Sequence, residues 1–233
     1  MSELSGKERA NYVRRMFSQL AMRYDIANRW MTWGQDVKWQ REVIDKAHLP
    51  VGGSLLDIGV GTGDLALEAQ QRDKTLLTVG ADFTPEMMQL GRMRQGGKSI
   101  HWLNTDALEL PFYDETFDAV VSGYLLRNVI AVERALVEQY RVVKPGGCVV
   151  CLDTTPLPND LWHLPARFYL HHIIPILGGL IARNPKAYRY LPKSTERFLL
   201  AEELASVMQK VGFKDVQFRR LMGGTMAIHW GSK

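Results

Sequence analysis

The chain has 233 residues, 46% of them hydrophobic and 23% charged, which fits one large α/β domain and excludes a disordered polymer. A formal net charge of +4 is too small a surplus to point to nucleic acid, because solvated lysines and arginines account for it as well. Two cysteines, Cys148 and Cys151, cannot build a four-cysteine zinc site, and no metal is expected.

MSELSGKERANY carries no apolar stretch of the secretory kind, so a cytoplasmic protein is expected. Residues 7–47 read as helical, with apolar Tyr12, Met16, Leu20, Ile26 and Trp30 at helical spacing and basic residues between them. Pro50 and Gly52-Gly53 end that region. Leu55–Ile58 then reads as a short buried strand, Asp64–Gln71 as a helix and Leu76–Ala81 as a second strand. Thr84-Pro85-Glu86 is a strong helix start, with an N-cap, a proline at N1 and an acid in the first turn. Three more strands are expected at Ile100–Leu103, Ala119–Ser122 and Cys148–Leu152, with a helix over Ala131–Val143 before the last. Strands alternating with helices imply a parallel sheet covered on both faces. The cysteines sit in GGCVVCLD, a buried strand, where they are expected as small core residues rather than a redox pair.

Residues 156–200 break the alternation and read as a helical insertion over the carboxyl ends of the strands. The apolar run IIPILGGLIA, at 173–182, is far short of the roughly 20 residues that span a bilayer. Phe213–Leu221 and Thr225–Trp230, joined by Met222-Gly223-Gly224, read as an antiparallel pair closing the sheet.

LLDIGVGTGDLAL, at 55–67, carries the clearest chemistry. In an open α/β sheet, ligands bind beyond the carboxyl ends of the strands, where Gly59, Gly61 and Gly63 fall. A triphosphate loop needs a lysine and a hydroxyl after its last glycine, but Asp64 and Leu65 follow Gly63. A dinucleotide loop has a different glycine spacing, and its pyrophosphate gains nothing from Asp57 and Asp64. S-adenosylmethionine carries a sulfonium and an ammonium and no phosphate, so acids suit it. Asp82 closes the second strand where an acid takes ribose hydroxyls, and Asp106 follows the third, in reach of an adenine amino group. Helix-capping by turn aspartates accounts for Asp64 equally well, but not for Asp57 or Asp82, each of which ends an apolar strand.

LLDIGVGTGD, GADFTPEMM, NTDALELPF, FDAVVSGYLLRNV and RVVKPGGCVV resemble, in order, the motifs of class I S-adenosylmethionine-dependent methyltransferases over residues 50–155. That resemblance implies a Rossmann-like α/β fold with a seven-stranded, mostly parallel sheet of order 3-2-1-4-5-7-6. YDIANRWMTWGQDVKW at 24–39, LLRNV, YRYLPKS at 188–194 and the terminal GGTMAIHWGSK look like the ubiquinone/menaquinone biosynthesis C-methyltransferases, and together they span almost the whole chain. The chain departs from that family at Ala27 for Met, Thr32 for Ser, Asp36 for His and Asp153-Thr154-Thr155 for Glu-x-Ser. Asp36 bears most on which quinol and which base this member uses.

The resemblance implies a single domain over residues 1–233. It comprises a helical cap (1–50), the cofactor core (50–155), a lid (156–200) and a last helix with its strand pair (201–233). It places Gly61 and Thr62 at the methionine part of the cofactor, Asp82 at the ribose, Asp106 and Ala107 at the adenine and Gly123 beside the sulfonium. The implied reaction is methylation of a ring carbon of a prenylated hydroquinone. Arg127 is expected to face the cleft and steady a phenolate, Asn128 to fix a quinol oxygen and Tyr24 to close the pocket. A surface salt bridge for Arg127 and plain packing for Tyr24 stand beside these readings. His163, His171 and His172 are further bases, although an apolar stretch more often holds histidines structurally. The expected partners are a lipophilic quinol and, through IIPILGGLIA and the basic residues after it, a transient contact with the inner face of the cell membrane. A homodimer is compatible with the family. Two other readings remain: a methyltransferase for another phenol, sterol or polyketide, and a nicotinamide-dependent reductase.

Overall fold

The computed structural model describes residues 6–157, 168, 173 and 194–233, without the side chains of 7, 9, 10, 20–25 and 27. Most of the expected 156–200 lid, with its three histidines, therefore lies outside the described residues.

Seven strands form one sheet: β1 (Ser54–Ile58), β2 (Leu77–Asp82), β3 (His101–Asn104), β4 (Phe117–Gly123), β5 (Val143–Thr154), β6 (Lys214–Leu221) and β7 (Met226–Ser232). Their order is β3-β2-β1-β4-β5-β7-β6, as the family resemblance implied. Only β7 runs against its neighbours β5 and β6. The helices are α1 (Gly6–Met31), α2 (Asp36–Lys46), α3 (Asp64–Arg72), α4 (Pro85–Met93), α5 (Val132–Val142) and α6 (Ala201–Val211).

The sequence SLLDI makes β1 because a central parallel strand is covered on both faces and so tolerates an unbroken apolar run; all five of its residues are buried. Alternate side chains then divide between two layers. Leu56 and Ile58 join Phe117, Leu136, Leu204 and Met208 under α5 and α6. Leu55 faces the other way and packs with Trp39, Val43 and Ile44 of α2 and Leu65 of α3. Cys148 falls in this second layer and Cys151 in the first, so the two thiols lie on opposite faces of β5. Both are free and buried, the structural role expected of them. At the centre, β1 lies between β2 and β4. Connections leave these strands in opposite directions, and the crevice above their carboxyl ends is where such sheets bind ligands.

The helical region expected over 7–47 consists of two helices, α1 and α2. Trp33 and Gly34 take left-handed backbone, with φ of 55° and 72°, and turn the chain between α1 and α2. Met16 is buried as expected, but Ile26 and Trp30 are exposed. Thr84 holds the N-cap position of α4, with Pro85 after it, yet its side chain makes no capping bond. Its N–H instead donates to Asp82 at 2.7 Å.

Gly91 lies inside α4, where alanine ordinarily stabilises by about 0.5–1 kcal/mol. A Cβ here would come 2.3 Å from the Trp102 ring and 2.8 Å from the Thr62 carbonyl oxygen. Gly91→Ala is therefore expected to lower stability by about 1–3 kcal/mol, read as a lower thermal midpoint. An unchanged or higher midpoint would show that the contact yields freely.

Candidate active site

The loop after β1 is shaped by backbone that L side chains avoid. Gly59, Gly61 and Gly63 have φ of 71°, 54° and 91°. At Gly63 a Cβ would also sit 2.7 Å from the Trp102 ring, so glycine is required there for space as well as conformation. The Gly59 and Val60 N–H groups donate to the Ala81 carbonyl at 2.8 and 3.1 Å. The Gly61 N–H donates to Asp82 at 2.8 Å. The loop is thereby hung from the end of β2 and forms the floor of an open cleft of about 1390 Å³, solvent included.

Asp57 is 1% exposed and accepts the Ala66 N–H in the first turn of α3 at 3.1 Å. Burial is the main force pushing its carboxyl up to about 8, with the charges of Asp82 and Asp64 adding to it and the Ala66 bond opposing it. Burial also raises Asp82, against the hydrogen bonds from Gly61 and Thr84. These are carboxyls held where ionisation is costly, a condition that a cation relieves. Asp64 differs from them: it is bound by Arg94 at 2.6 Å and by Gln40 at 3.2 Å. Neither contact is the helix cap expected of a turn aspartate, and Asp64 borders the cleft as well.

Asp106 and Ala107 line the same cleft beyond β3, and Gly123 lines it at the end of β4. Asp106 is exposed and accepts the Leu108 N–H at 2.9 Å. Asp57, Gly59, Gly61, Thr62 and Asp82 complete the set, so every cofactor residue proposed from sequence borders one space. The Thr62 hydroxyl accepts from Arg94 at 3.3 Å.

The opposite wall comes from α1, α2 and the segment after β4. Helix α1 lies over α4, where Ser18 donates to Glu86 at 2.9 Å and the Arg14 guanidinium sits 5.3 Å above the Phe83 ring. Asn28, Asp36 and Gln40 border the cleft from this side. Asp36 is buried and accepts from Arg29 at 3.1 Å and from the Thr32 hydroxyl at 3.2 Å. It ties the α1–α2 corner together.

Beyond Gly123, Tyr124 holds φ of 58°, a left-handed conformation uncommon for a bulky residue and frequent at functional sites. Its N–H donates to Leu152 at 2.7 Å. Asn128 borders the cleft and donates to the Tyr124 carbonyl at 2.8 Å. Arg127 differs from expectation. Its guanidinium is buried and bonds to Asp153 at 2.6 Å, and its backbone N–H meets the same carboxylate at 3.1 Å. It is not among the described residues bordering the cleft, because the left-handed turn at Tyr124 sends Asn128 toward the cleft and Arg127 toward β5. The ion pair is also buried rather than on the surface. Tyr24 lies in α1, but its side chain is outside the described residues.

Sequence reasoning missed Phe83, Met87, Gln40 and Tyr124, all of which border the cleft. Phe83 and Tyr124 had a signal, since each directly follows a residue that had been singled out, Asp82 and Gly123. Gln40 had none, because only the packing of α2 on α3 brings it near the loop.

Residues 5–233 match the ubiE/COQ5 methyltransferase family. The chain is 45% identical over 221 residues to the ubiquinone/menaquinone biosynthesis C-methyltransferase UbiE of Desulfotalea psychrophila, covering 95% of this chain and 90% of that one. It is 42% identical over 220 residues to the demethylmenaquinone methyltransferase of Thermus thermophilus, covering 94% and 100%. Among solved structures, an S-adenosylmethionine-dependent methyltransferase of Thermotoga maritima, described as a possible histamine N-methyltransferase, superposes with a TM-score of 0.65. It does so at 20% identity, over 94% of this chain and 99% of that one, and this likeness speaks to the fold.

The Asp57 shift has a signed consequence for the ligand-free protein. Below 3.8 the carboxyl is protonated in both folded and unfolded chains and has no effect. Between there and about 8 the unfolded chain gives up a proton that the folded chain keeps, so stability falls as pH rises. Asp57→Asn removes that loss. Its thermal midpoint, relative to the wild type, is expected to climb with pH across this window and then level off. Parallel midpoint curves for the two proteins would refute the assignment.

Proposed function

The chain belongs to the ubiE/COQ5 methyltransferase family, and from that premise we propose that its acceptor is a ring carbon of a prenylated hydroquinone, a demethylmenaquinol or a ubiquinol precursor. It is an S-adenosylmethionine-dependent methyltransferase. One observation carries the acceptor reading: the cleft that Asp57, Asp82 and Asp106 border is bordered also by Val13, Phe17, Leu125, Val129 and Ile130. The acids suit a cation, and the apolar side chains suit an apolar ring with its tail. The family match lends no support to a sterol, polyketide or unrelated phenol, or to a nicotinamide-dependent reductase.

The left-handed glycine loop and the two buried acids fit the cofactor, which supplies a methyl group activated on positively charged sulfur. In this reading Asp57 offers negative charge to the cationic end. Asp82 is held by the Gly61 and Thr84 N–H groups where it borders the cleft, and offers carboxylate oxygen to a ribose hydroxyl. Asp106 and Ala107 take the adenine, beside the half-exposed ring of Phe83. Gly61 and Thr62 lie along the methionine part, and Gly123 leaves room at the sulfur.

A phenol carbon becomes nucleophilic as its neighbouring hydroxyl loses a proton. The chain must therefore align the ring and hold that oxygen as charge builds. Asn128 is the group we assign to the quinol oxygen, with Tyr24 closing over it. We assign Arg127 a positioning part: its pair with Asp153 holds the Tyr124–Asn128 turn against β5. Alignment supplies the larger share of the rate, since fixing reactants in near-attack geometry is worth about 7–11 kcal/mol against roughly 10²–10⁴-fold for a general base.

Among the described residues no helix is long and apolar enough to cross a membrane. We propose that the protein meets its lipophilic substrate by transient contact with the inner face of the cell membrane.

The test is transfer of a labelled methyl group to a panel of demethylated quinols, with the product located by mass spectrometry. A carbon-methylated, tail-bearing quinol is expected, and products methylated only on oxygen, or only from tailless phenols, would overturn the reading. Asn128→Ala is expected to retain cofactor binding and lose about 10²–10³ in kcat; turnover at the wild-type rate would remove Asn128 from the mechanism. Arg127→Ala is a poorer probe, because stranding the buried Asp153 charge costs about 3–5 kcal/mol of stability.

A further inference from the structure

Ile26 and Trp30, four residues apart, share one face of α1, and Trp33 follows in the turn after the helix. They are 55%, 64% and 76% exposed. Single exposed apolar residues are ordinary, but two indoles and an isoleucine forming an exposed stripe within one short stretch of chain are not. Trp33 is also held out by left-handed backbone, with φ of 55°, in a turn fixed by the Gly34 N–H donating to the Arg29 carbonyl at 2.8 Å.

The charge of the same helix is lopsided. Between Gly6 and Met31 lie six basic residues (Lys7, Arg9, Arg14, Arg15, Arg23, Arg29) and two acidic ones (Glu8, Asp25), a surplus of four. The whole chain has 29 basic and 25 acidic residues, also a surplus of four. The remainder is therefore balanced, and α1 carries the net charge of the protein. Asn28, two residues from both Ile26 and Trp30 and so on the other face of α1, borders the cleft; the helix turns one side to the cleft and the Ile26–Trp30 side to solvent.

We propose that the exposed Ile26–Trp30–Trp33 stripe docks on an anionic lipid bilayer, with the opposite side of α1 facing the cleft. Tryptophan suits this place because its ring is apolar and its N–H is wet, matching the headgroup level of a bilayer. Basic residues along the same helix are attracted to anionic lipid. This deepens the acceptor reading, and rests on it, since a prenylated quinol resides in the bilayer. It also shifts the expected membrane contact from residues 173–182 to α1.

The experiment uses the full chain with two vesicle types, phosphatidylcholine alone and phosphatidylcholine containing phosphatidylglycerol. The wild type is expected to float with the anionic vesicles, to shift its tryptophan emission to the blue and to release at high salt. A Trp30→Ser/Trp33→Ser double variant is expected to lose roughly tenfold in vesicle partitioning. It should methylate a long-tailed quinol in vesicles more slowly by a similar factor, and a short-tailed soluble quinol at the wild-type rate, which reports an intact fold. Equal flotation of wild type and variant, or a wild type that never floats, overturns the proposal. So does a dimer that the double substitution converts to monomer, because the stripe would then cover a second copy. Salt-sensitive binding of RNA in place of vesicles would overturn it too. Failure of every quinol to be methylated would sink the acceptor reading instead, while flotation would still decide the stripe.

Discussion

The Asp82 carboxylate joins two strand ends that would otherwise be independent. One oxygen accepts the Gly61 N–H and the other the Thr84 N–H, while the neighbouring Ala81 carbonyl takes Gly59 and Val60. The loop after β1 thus has its fold dictated by the end of β2. Only three residues with positive φ let it hang this way, and the cleft exists because it does. The packing of Trp102 against Gly63 and Gly91 closes the same arrangement from β3 and α4. Sheet order brings these parts together, since β2 and β4 flank β1.

The electrostatics of the cleft run against the stability of the ligand-free protein. Asp57 is buried with two other acids acting on it, and nothing in the loop is basic except Arg94, which reaches in from the end of α4 and is bound to Asp64. Such a site repels phosphate and rewards a cation. The same feature that selects the ligand therefore keeps the unliganded protein below its attainable stability, as expected where function and stability compete.

Much of this was legible in the chain because the signals are local. Short strand-like stretches, six of four to six residues and one of nine, located all seven strands, and acids ending apolar strands located Asp57 and Asp82. What could not be read depends on partners distant in sequence. The ion pair of Arg94 with Asp64 spans 30 positions, and that of Arg127 with Asp153 spans 26. No local pattern announces either. Arg127 was expected in the cleft because it follows a strand end; the left-handed Tyr124, invisible to periodicity, sends it elsewhere. Ile26 and Trp30 show the converse failure, since helical spacing marks an apolar stripe without saying what covers it. Thr84 held its predicted place, but its side chain makes no capping bond and its own N–H donates to Asp82.

The two cysteines acquire a meaning beyond packing once the substrate is considered. Burial pushes the Cys148 thiol up to about 11 and that of Cys151 up to about 12, so neither forms thiolate at physiological pH. A quinol is in constant exchange with its oxidised form, and quinones are electrophiles that alkylate thiolates. An enzyme working on quinols therefore meets their oxidised form as a thiol-reactive companion of its substrate. With its two thiols buried on opposite faces of an interior strand, this chain offers such a quinone no accessible thiolate.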